Sequence, residues 1–322
     1  MKGVFNLDKT IENNKKVNVR ELIEQNKRSV TITTVLEKLM PKILFTIATI
    51  SILTTAGILF TLLTETIEFF KDVPFIEFFT GTVLKPLGEH AQFGVLPLLT
   101  GTLISSAIAM LVAIPIGLMT AIYLSEYASD KVRRALKPML EILAGIPTIV
   151  YGFFAFTFVT PLLTNIIPSL QPTNILSPGI VMGIMIIPMV ASLSEDAMSS
   201  VPNSMREGAL ALGATRLEVT WKVVVPAAIS GIIASFVLGI SRAIGETMIV
   251  TIASGSSKNF TFDVTQSMQT MTAYIVEVTG GDAPAGSTLY FSLYAVAMTL
   301  FVFTLVMNLF AQYISRKFRE EY

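Results

Sequence analysis

The sequence predicts an all-α integral membrane protein of six transmembrane helices with both termini in the cytoplasm, and three observations carry that expectation. Of 322 residues, 52% are hydrophobic and 14% charged, against about 25% charged in soluble domains, and the mean hydropathy is +0.67. Six stretches, 43–64, 96–124, 139–164, 178–195, 226–252 and 288–314, are apolar enough to cross a bilayer, since about 20 such residues span a hydrocarbon core of roughly 30 Å. Nineteen Lys and Arg lie in 1–42, 125–138, 196–225 and 315–322, and three in the other connections. Cationic loops stay in the cytoplasm, which fixes the orientation.

The polar segment 1–42 has no apolar core or cleavage site of a secretory signal, so the first span is expected to remain as an anchor. VRELIEQ and VLEKLM within it have helical apolar spacing and predict a cytoplasmic helix lying along the membrane. Residues 43–95 supply the first span and an outer loop, in which EFFKDVPFIEFF reads as an amphipathic surface segment. The core is expected over 96–314, and 315–322 form a cytoplasmic tail. Pro115, Pro147 and Pro188 fall inside spans and predict bends or local openings, tolerable where the freed carbonyls face protein or water.

Small residues recur every fourth position in two spans: Gly101, Ser105, Ala109, Ala113 and Gly117 in the second, and Ala227, Gly231, Ser235, Gly239 and Ala243 in the fifth. Such ladders let backbones approach closely in lipid. They serve packing within the chain or contact with a second membrane subunit, and the spacing alone does not separate the two.

Several chemistries are excluded. There is no cysteine, which removes disulfides, thiolate metal sites and cysteine nucleophiles. The single histidine, His90, stands in a polar loop and is expected to be solvated. Glu195 and Asp196 are expected as boundary charges at the cytoplasmic end of the fourth span. No catalytic residue, metal site, bound cofactor or nucleic-acid partner is expected, and no G-x-x-x-x-G-K-[ST] sequence occurs, so ATP is not bound in the Walker manner.

The connection VPNSMREGALALGATRLEVTWKVVVP, 201–226, is unusually well specified. Ser204 and Glu207 read as one capping box, Thr215 and Glu218 as a second, and Gly213 as a helix stop between them. Two short helices meeting at a glycine are expected on the cytoplasmic side. Connections usually need only a few residues, and a rigid hairpin of this size gives a partner something to push on.

Arg242 and Glu246 are the only charges between Pro226 and Ala253. A charge at the centre of a membrane helix costs about 2.5–3.5 kcal/mol on insertion scales, which makes such residues functional candidates. At i and i+4 the two would share a helix face and partly neutralise each other, although Arg before Glu is the weaker order. A buried pair fixing helix register and an anion site remain as readings, the second favoured by the permanently charged, forked guanidinium.

EGALALGATRLEVTWKVVVP resembles the EAA motif of ABC-importer permeases, in the register of Glu207, Gly208, Ala209, Gly213, Ala214 and Pro226, with Gly208 where the family carries Ala. The resemblance implies a type I ABC-importer permease fold and coupling helices, about 203–225, that dock on an ATPase subunit. FGVLPLLTGTLISSAIAMLVAIPIGLMTAIYLSEYA, LEILAGIPTIVYGFF and GISRAIGETMIV further resemble phosphate-specific (Pst) permeases, the second of these their C-type subunit. That likeness covers about 93–314 and implies a bacterial plasma-membrane importer subunit for inorganic phosphate. Its implied partners are an A-type permease, two copies of an ATP-binding subunit and an extracytoplasmic phosphate-binding protein. It also implies a substrate-pathway role for Arg242 and Glu246, in which Arg242 is expected to contact phosphate and Glu246 to hold Arg242 and, by repulsion, keep the site weak enough to release a dianion. The alternatives are a permease for sulfate, molybdate or another solute, and an ATP-independent channel or secondary transporter.

Overall fold

The computed structural model describes residues 32–88 and 90–317. Helix α1, Ile32–Asp72, runs unbroken through Pro41. VLEKLM therefore begins the first spanning helix instead of forming a separate one along the membrane, and VRELIEQ lies outside the described residues. By internal contacts the chain divides into two units after Thr61. In the first, the hydroxyls of Thr46, Thr49, Thr54 and Thr55 each donate to the carbonyl four residues back, which satisfies groups that lipid would not solvate.

The second unit, Leu62–Tyr322, continues with α2 (Phe75–Thr80) and a two-stranded hairpin, β1 (Leu84–Lys85) and β2 (Gln92–Phe93). The predicted amphipathic loop is thus largely ordered. Phe69 meets Phe78 and Phe93 edge-on with ring centroids 5.3 and 5.5 Å apart, and Phe75 and Ile76 stay exposed. Helix α3 (Leu96–Ile122) ends in a π turn, Tyr123–Tyr127. Then come α4 (Asp130–Ala144), α5 (Thr148–Thr164), α6 (Leu176–Ser199), α7 (Asn203–Ala211), α8 (Arg216–Ala227), α9 (Ile229–Ile244), α10 (Met248–Ala253), α11 (Met271–Gly280) and α12 (Thr288–Lys317).

Among the described residues, four unbroken helices are long and apolar enough to cross a membrane, and six spans result when each of two bent pairs counts as one. Those pairs differ from the expected spans. In the third, Gly145–Pro147 breaks the helix and α4 meets α5 at 85°, so 139–144 belong to an amphipathic helix with no buried residue. In the fifth, α8 meets α9 at 70°, and 226–252 is interrupted again at Gly245–Thr247. Pro147 sits at a break, whereas Pro115 and Pro188 are carried inside α3 and α6. The short fourth stretch is a full helix, lengthened at both ends. The connection 253–287, expected as an outer loop, sends α11 inward with Tyr274 fully buried.

Two π turns have a local cause. Ala155–Val159 and Thr220–Val224 each end two residues before a proline, Pro161 and Pro226. Proline lacks the amide and crowds the preceding turn, and a widened turn relieves the clash.

Helix α6 is the centre of the bundle. Both small-residue ladders pack in part against it: Gly117 approaches Val190, Gly231 approaches Ala197, and Gly239 meets Ile186 beside Met110 of α3, whereas Gly101 closes on the Gln269 backbone. Ser194 and Ser235 hydrogen-bond across α6 and α9 at 2.8 Å. The ladders therefore serve packing within the chain. At Gly183 a Cβ would stand 2.7 Å from the Ala109 carbonyl oxygen and 2.7 Å from Val112 Cβ. Backbone cannot yield there as a side chain would. Gly183→Val is expected to destabilise the detergent-solubilised protein by about 1–3 kcal/mol, the usual cost of overpacking, measured as a lower midpoint in size-exclusion thermostability.

Candidate functional site: a coupling hairpin and a cation at a helix break

The hairpin forms as two helices joined at Gly213. Helix α7 ends in a Schellman arrangement: the Gly213 amide donates to Leu210 O at 2.9 Å and the Ala214 amide to Ala209 O at 3.2 Å. Gly213 has φ +89°, a conformation that disfavours a Cβ. Helix α8 then starts on a complete capping box, in which the Glu218 amide donates to Thr215 Oγ1 at 3.3 Å and the Thr215 amide to Glu218 Oε2 at 3.0 Å. That backbone bond, with the Lys222 ammonium, holds the Glu218 carboxyl below the usual glutamate range. The box is therefore present at neutral pH and lost only as acid reaches that lowered range. The first expected box is absent: Pro202 is the N-cap and Ser204 makes no side-chain cap. Proline's extended backbone supplies the helix start there.

Glu207, Gly208, Gly213 and Pro226 are exposed on the hairpin, while Ala209 and Ala214 are half-buried. Leu212 at its tip is 91% exposed, with Leu217 and Trp221 also open. The strut beneath them was not legible in the sequence. Arg206 of α7 reaches Glu126 in the π turn of α3 with two bonds, Nη2 to Oε1 at 3.1 Å and Nε to Oε2 at 3.3 Å. It also donates to the carbonyls of Met198 and Val201 at the end of α6. One side chain thus ties the hairpin to two spanning helices. Its only signal was a pair of opposite charges flanking the spans 80 residues apart.

Arg242 and Glu246 do not share a helical turn. Gly245 ends α9, leaving Arg242 in its last turn. Glu246 is buried in the break, where its Oε1 accepts the amides of Met248 at 3.1 Å and Ile249 at 3.3 Å and so caps α10. Its carbonyl accepts Thr272 Oγ1 at 2.7 Å. The two charges form no ion pair among the described residues, so the holding role expected of Glu246 is replaced by helix capping. A cation at a helix C-terminus and an anion at an N-terminus each gain from the local dipole. Arg242 lies 3.9 Å from Met185 Sδ and lines a pocket of about 340 Å³ with Leu124, Lys137, Glu141, Pro188 and Ser192.

A third group departs from expectation. Glu195 is no boundary charge: its side chain is fully buried and pairs with Arg133 and Lys137 of α4, while Asp196 beside it is exposed. Among the described residues no cluster of His, Asp or Glu could hold a metal.

The family described as "Binding-protein-dependent transport system inner membrane component" matches residues 113–320, which include the hairpin and the Arg242 break. The chain belongs to this family. It is a multi-pass inner-membrane permease component, not itself catalytic, of the kind that works with a binding protein. Among its relatives, "Probable ABC transporter permease protein YqgH" of Bacillus subtilis is 34% identical over 242 residues, covering 75% of this chain and 78% of the relative. "Probable phosphate transport system permease protein PstC" of Methanocaldococcus jannaschii is 32% identical over 312 residues, covering 88% and 97%. The fold is shared with a chain of a bacterial ABC transporter described as involved in the import of the acidic polysaccharide alginate (TM-score 0.63, 16% identity, 90% and 99% covered). It is also shared with a chain of the MetNI methionine ABC transporter (TM-score 0.52, 16% identity, 70% and 95% covered). It is the fold of type I ABC-importer permeases.

Proposed function

We propose that this chain is a permease subunit of an ATP-driven importer of inorganic phosphate, with both termini in the cytoplasm. The observation that carries the reading is a guanidinium, Arg242, with no carboxylate partner among the described residues, at a helix break over a pocket, in a chain whose relative along nearly its full length is described as a phosphate permease. Arginine's fork suits a tetrahedral oxyanion, and broken helices in lipid are tolerated where they line a cavity.

The 96–314 core would form the pathway with a related A-type permease. Two copies of an ATP-binding subunit would grip the 203–225 hairpins, seating their surface over Leu212, and an extracytoplasmic phosphate-binding protein would deliver the anion. Closure of the ATPase pair would push the hairpin, and Arg206 would pass that displacement to α3 and α6. The anion biases the states only through its different affinity for each. Arg242 would contact phosphate, and Glu246 would keep the break open by capping α10.

Uptake of radiolabelled phosphate and of radiolabelled sulfate by vesicles holding all subunits tests the reading. Phosphate accumulation that requires ATP is expected. Sulfate accumulation without phosphate would overturn the substrate, and transport without any ATPase would overturn the mechanism.

A further inference from the structure

The buried carboxylate of Glu195 is held by two cations of α4. Arg133 Nη2 and Lys137 Nζ both pair with it, on different oxygens, and Ser199 Oγ adds a bond at 3.0 Å. A buried carboxylate demands partners: Arg133 and Ser199 both engage Oε1, and Lys137 is the partner of Oε2. Lys137 is shared between Glu195 and the exposed Asp196. The lysine is about one-third exposed and lines the same 340 Å³ pocket as Arg242. Met185, which Arg242 touches, and Glu195, which Lys137 touches, are ten residues apart on α6, or about 15 Å. The two cations therefore mark the two ends of one space. At roughly 30 Å³ per water, that space admits a tetrahedral oxyanion with several waters. Its wall adds the Ser192 hydroxyl.

Two carboxylates oppose the cations. Glu141 lines the pocket one helical turn from Lys137, and Asp196 lies 3.3 Å from the Lys137 ammonium, mostly exposed. They keep the space from being an anion trap. Lysine is a point charge on a flexible stem, able to swing between Glu195 and an anion in the pocket, whereas Arg133 has a planar fork already engaged.

We propose that Lys137 is a second oxyanion contact, taking the transported anion from Arg242 toward the hairpin end of the bundle, while Arg133 retains Glu195. In this structure Lys137 rests on Glu195. The proposal depends on the phosphate-importer reading and deepens it.

The test measures phosphate moved per ATP hydrolysed by the complete assembly in vesicles, with Lys137→Gln, Lys137→Arg, Glu195→Gln and the double variant Lys137→Gln/Glu195→Gln. Removing one charge-assisted hydrogen bond to the anion is expected to lower the ratio about tenfold in Lys137→Gln, with ATP hydrolysis and assembly retained and Lys137→Arg restoring most of it. The double variant separates the proposal from a structural latch. Neutralising Glu195 gives the anion no new cation, so the double variant should transport as poorly as Lys137→Gln. Recovery to wild type in the double variant, wild-type transport by Lys137→Gln, or a fall of uptake and ATP hydrolysis in step would each overturn the second contact. Wild-type vesicles that take up neither phosphate nor sulfate would instead overturn the importer reading, and the Lys137 role with it.

Discussion

Arg242→Gln is expected to cut phosphate uptake by at least tenfold while ATP hydrolysis and subunit assembly stay near wild type. The expectation follows from what the guanidinium does and does not touch. Its one hydrogen-bonding neighbour among the described residues is the weak acceptor Met185 Sδ, at 3.9 Å. Removing the charge therefore strands no buried carboxylate, and the fold should lose little. A charged hydrogen bond is worth about 1.5–3 kcal/mol, or roughly 10- to 100-fold in a rate when it is made to the anion in transit. Glu246→Gln should be milder, because a glutamine carbonyl can still accept the amides of Met248 and Ile249. Initial rates of radiolabelled uptake, beside phosphate release from ATP in the same vesicles, decide the matter. Equal uptake by Arg242→Gln and wild type would leave the residue a structural charge.

The second large effect is expected at Arg206. Arg206→Ala leaves Glu126, only 10% exposed, without its cation and frees the carbonyls of Met198 and Val201. Breaking a buried pair from one side costs about 3–5 kcal/mol. With 16% of the arginine side chain exposed, about 2–4 kcal/mol is the fitting range. The functional loss should exceed what stability explains: the ATPase still binds the exposed hairpin and still turns over, but the push no longer reaches α3 and α6. Arg206→Ala/Glu126→Gln separates the two effects. It should recover part of the thermal midpoint, since no charge is stranded although the carbonyls of Met198 and Val201 stay free, without recovering phosphate moved per ATP. Recovery of both would reduce Arg206 to a fold-stabilising residue.

The parts of the fold written in local chemistry were legible. Length and hydropathy located the four unbroken spans but not the breaks in the third and fifth, and Gly213 with the Thr215–Glu218 box located the hairpin, because each depends on neighbours within a few residues. What the sequence hid depends on groups far apart. Glu195 reads as a boundary charge until α4 folds back and delivers Arg133 and Lys137 from about 60 residues away. Arg206 and Glu126 carry no spacing that relates them. The Arg242–Glu246 pair misled for a different reason: a four-residue interval suggests one helical turn, and only the break at Gly245 shows that the interval crosses two helix ends. The Arg-before-Glu order, weak for a pair on one helix, suits that arrangement. The ladders pointed to close packing without naming a partner, and α6 takes most of that contact, with Gly101 on the Gln269 backbone and Gly239 also on Met110 of α3.

The π turn at Thr220–Val224 has a consequence for phase. Thr220, Val224, Ala228 and Ile232 are all buried, a stripe of every fourth residue. In a regular α-helix each step of four overshoots a full turn by about 40°, so such a stripe would wind around the axis. The wider winding of the π turn absorbs part of that drift, and the bend before α9 redirects the rest. The hairpin and the span above it can thus present one continuous seam to the bundle. A single-residue deletion in 220–224 would rotate everything on the hairpin side by about 100°, turning Arg216 and Trp221 to new faces while leaving every side chain in the sequence chemically unchanged.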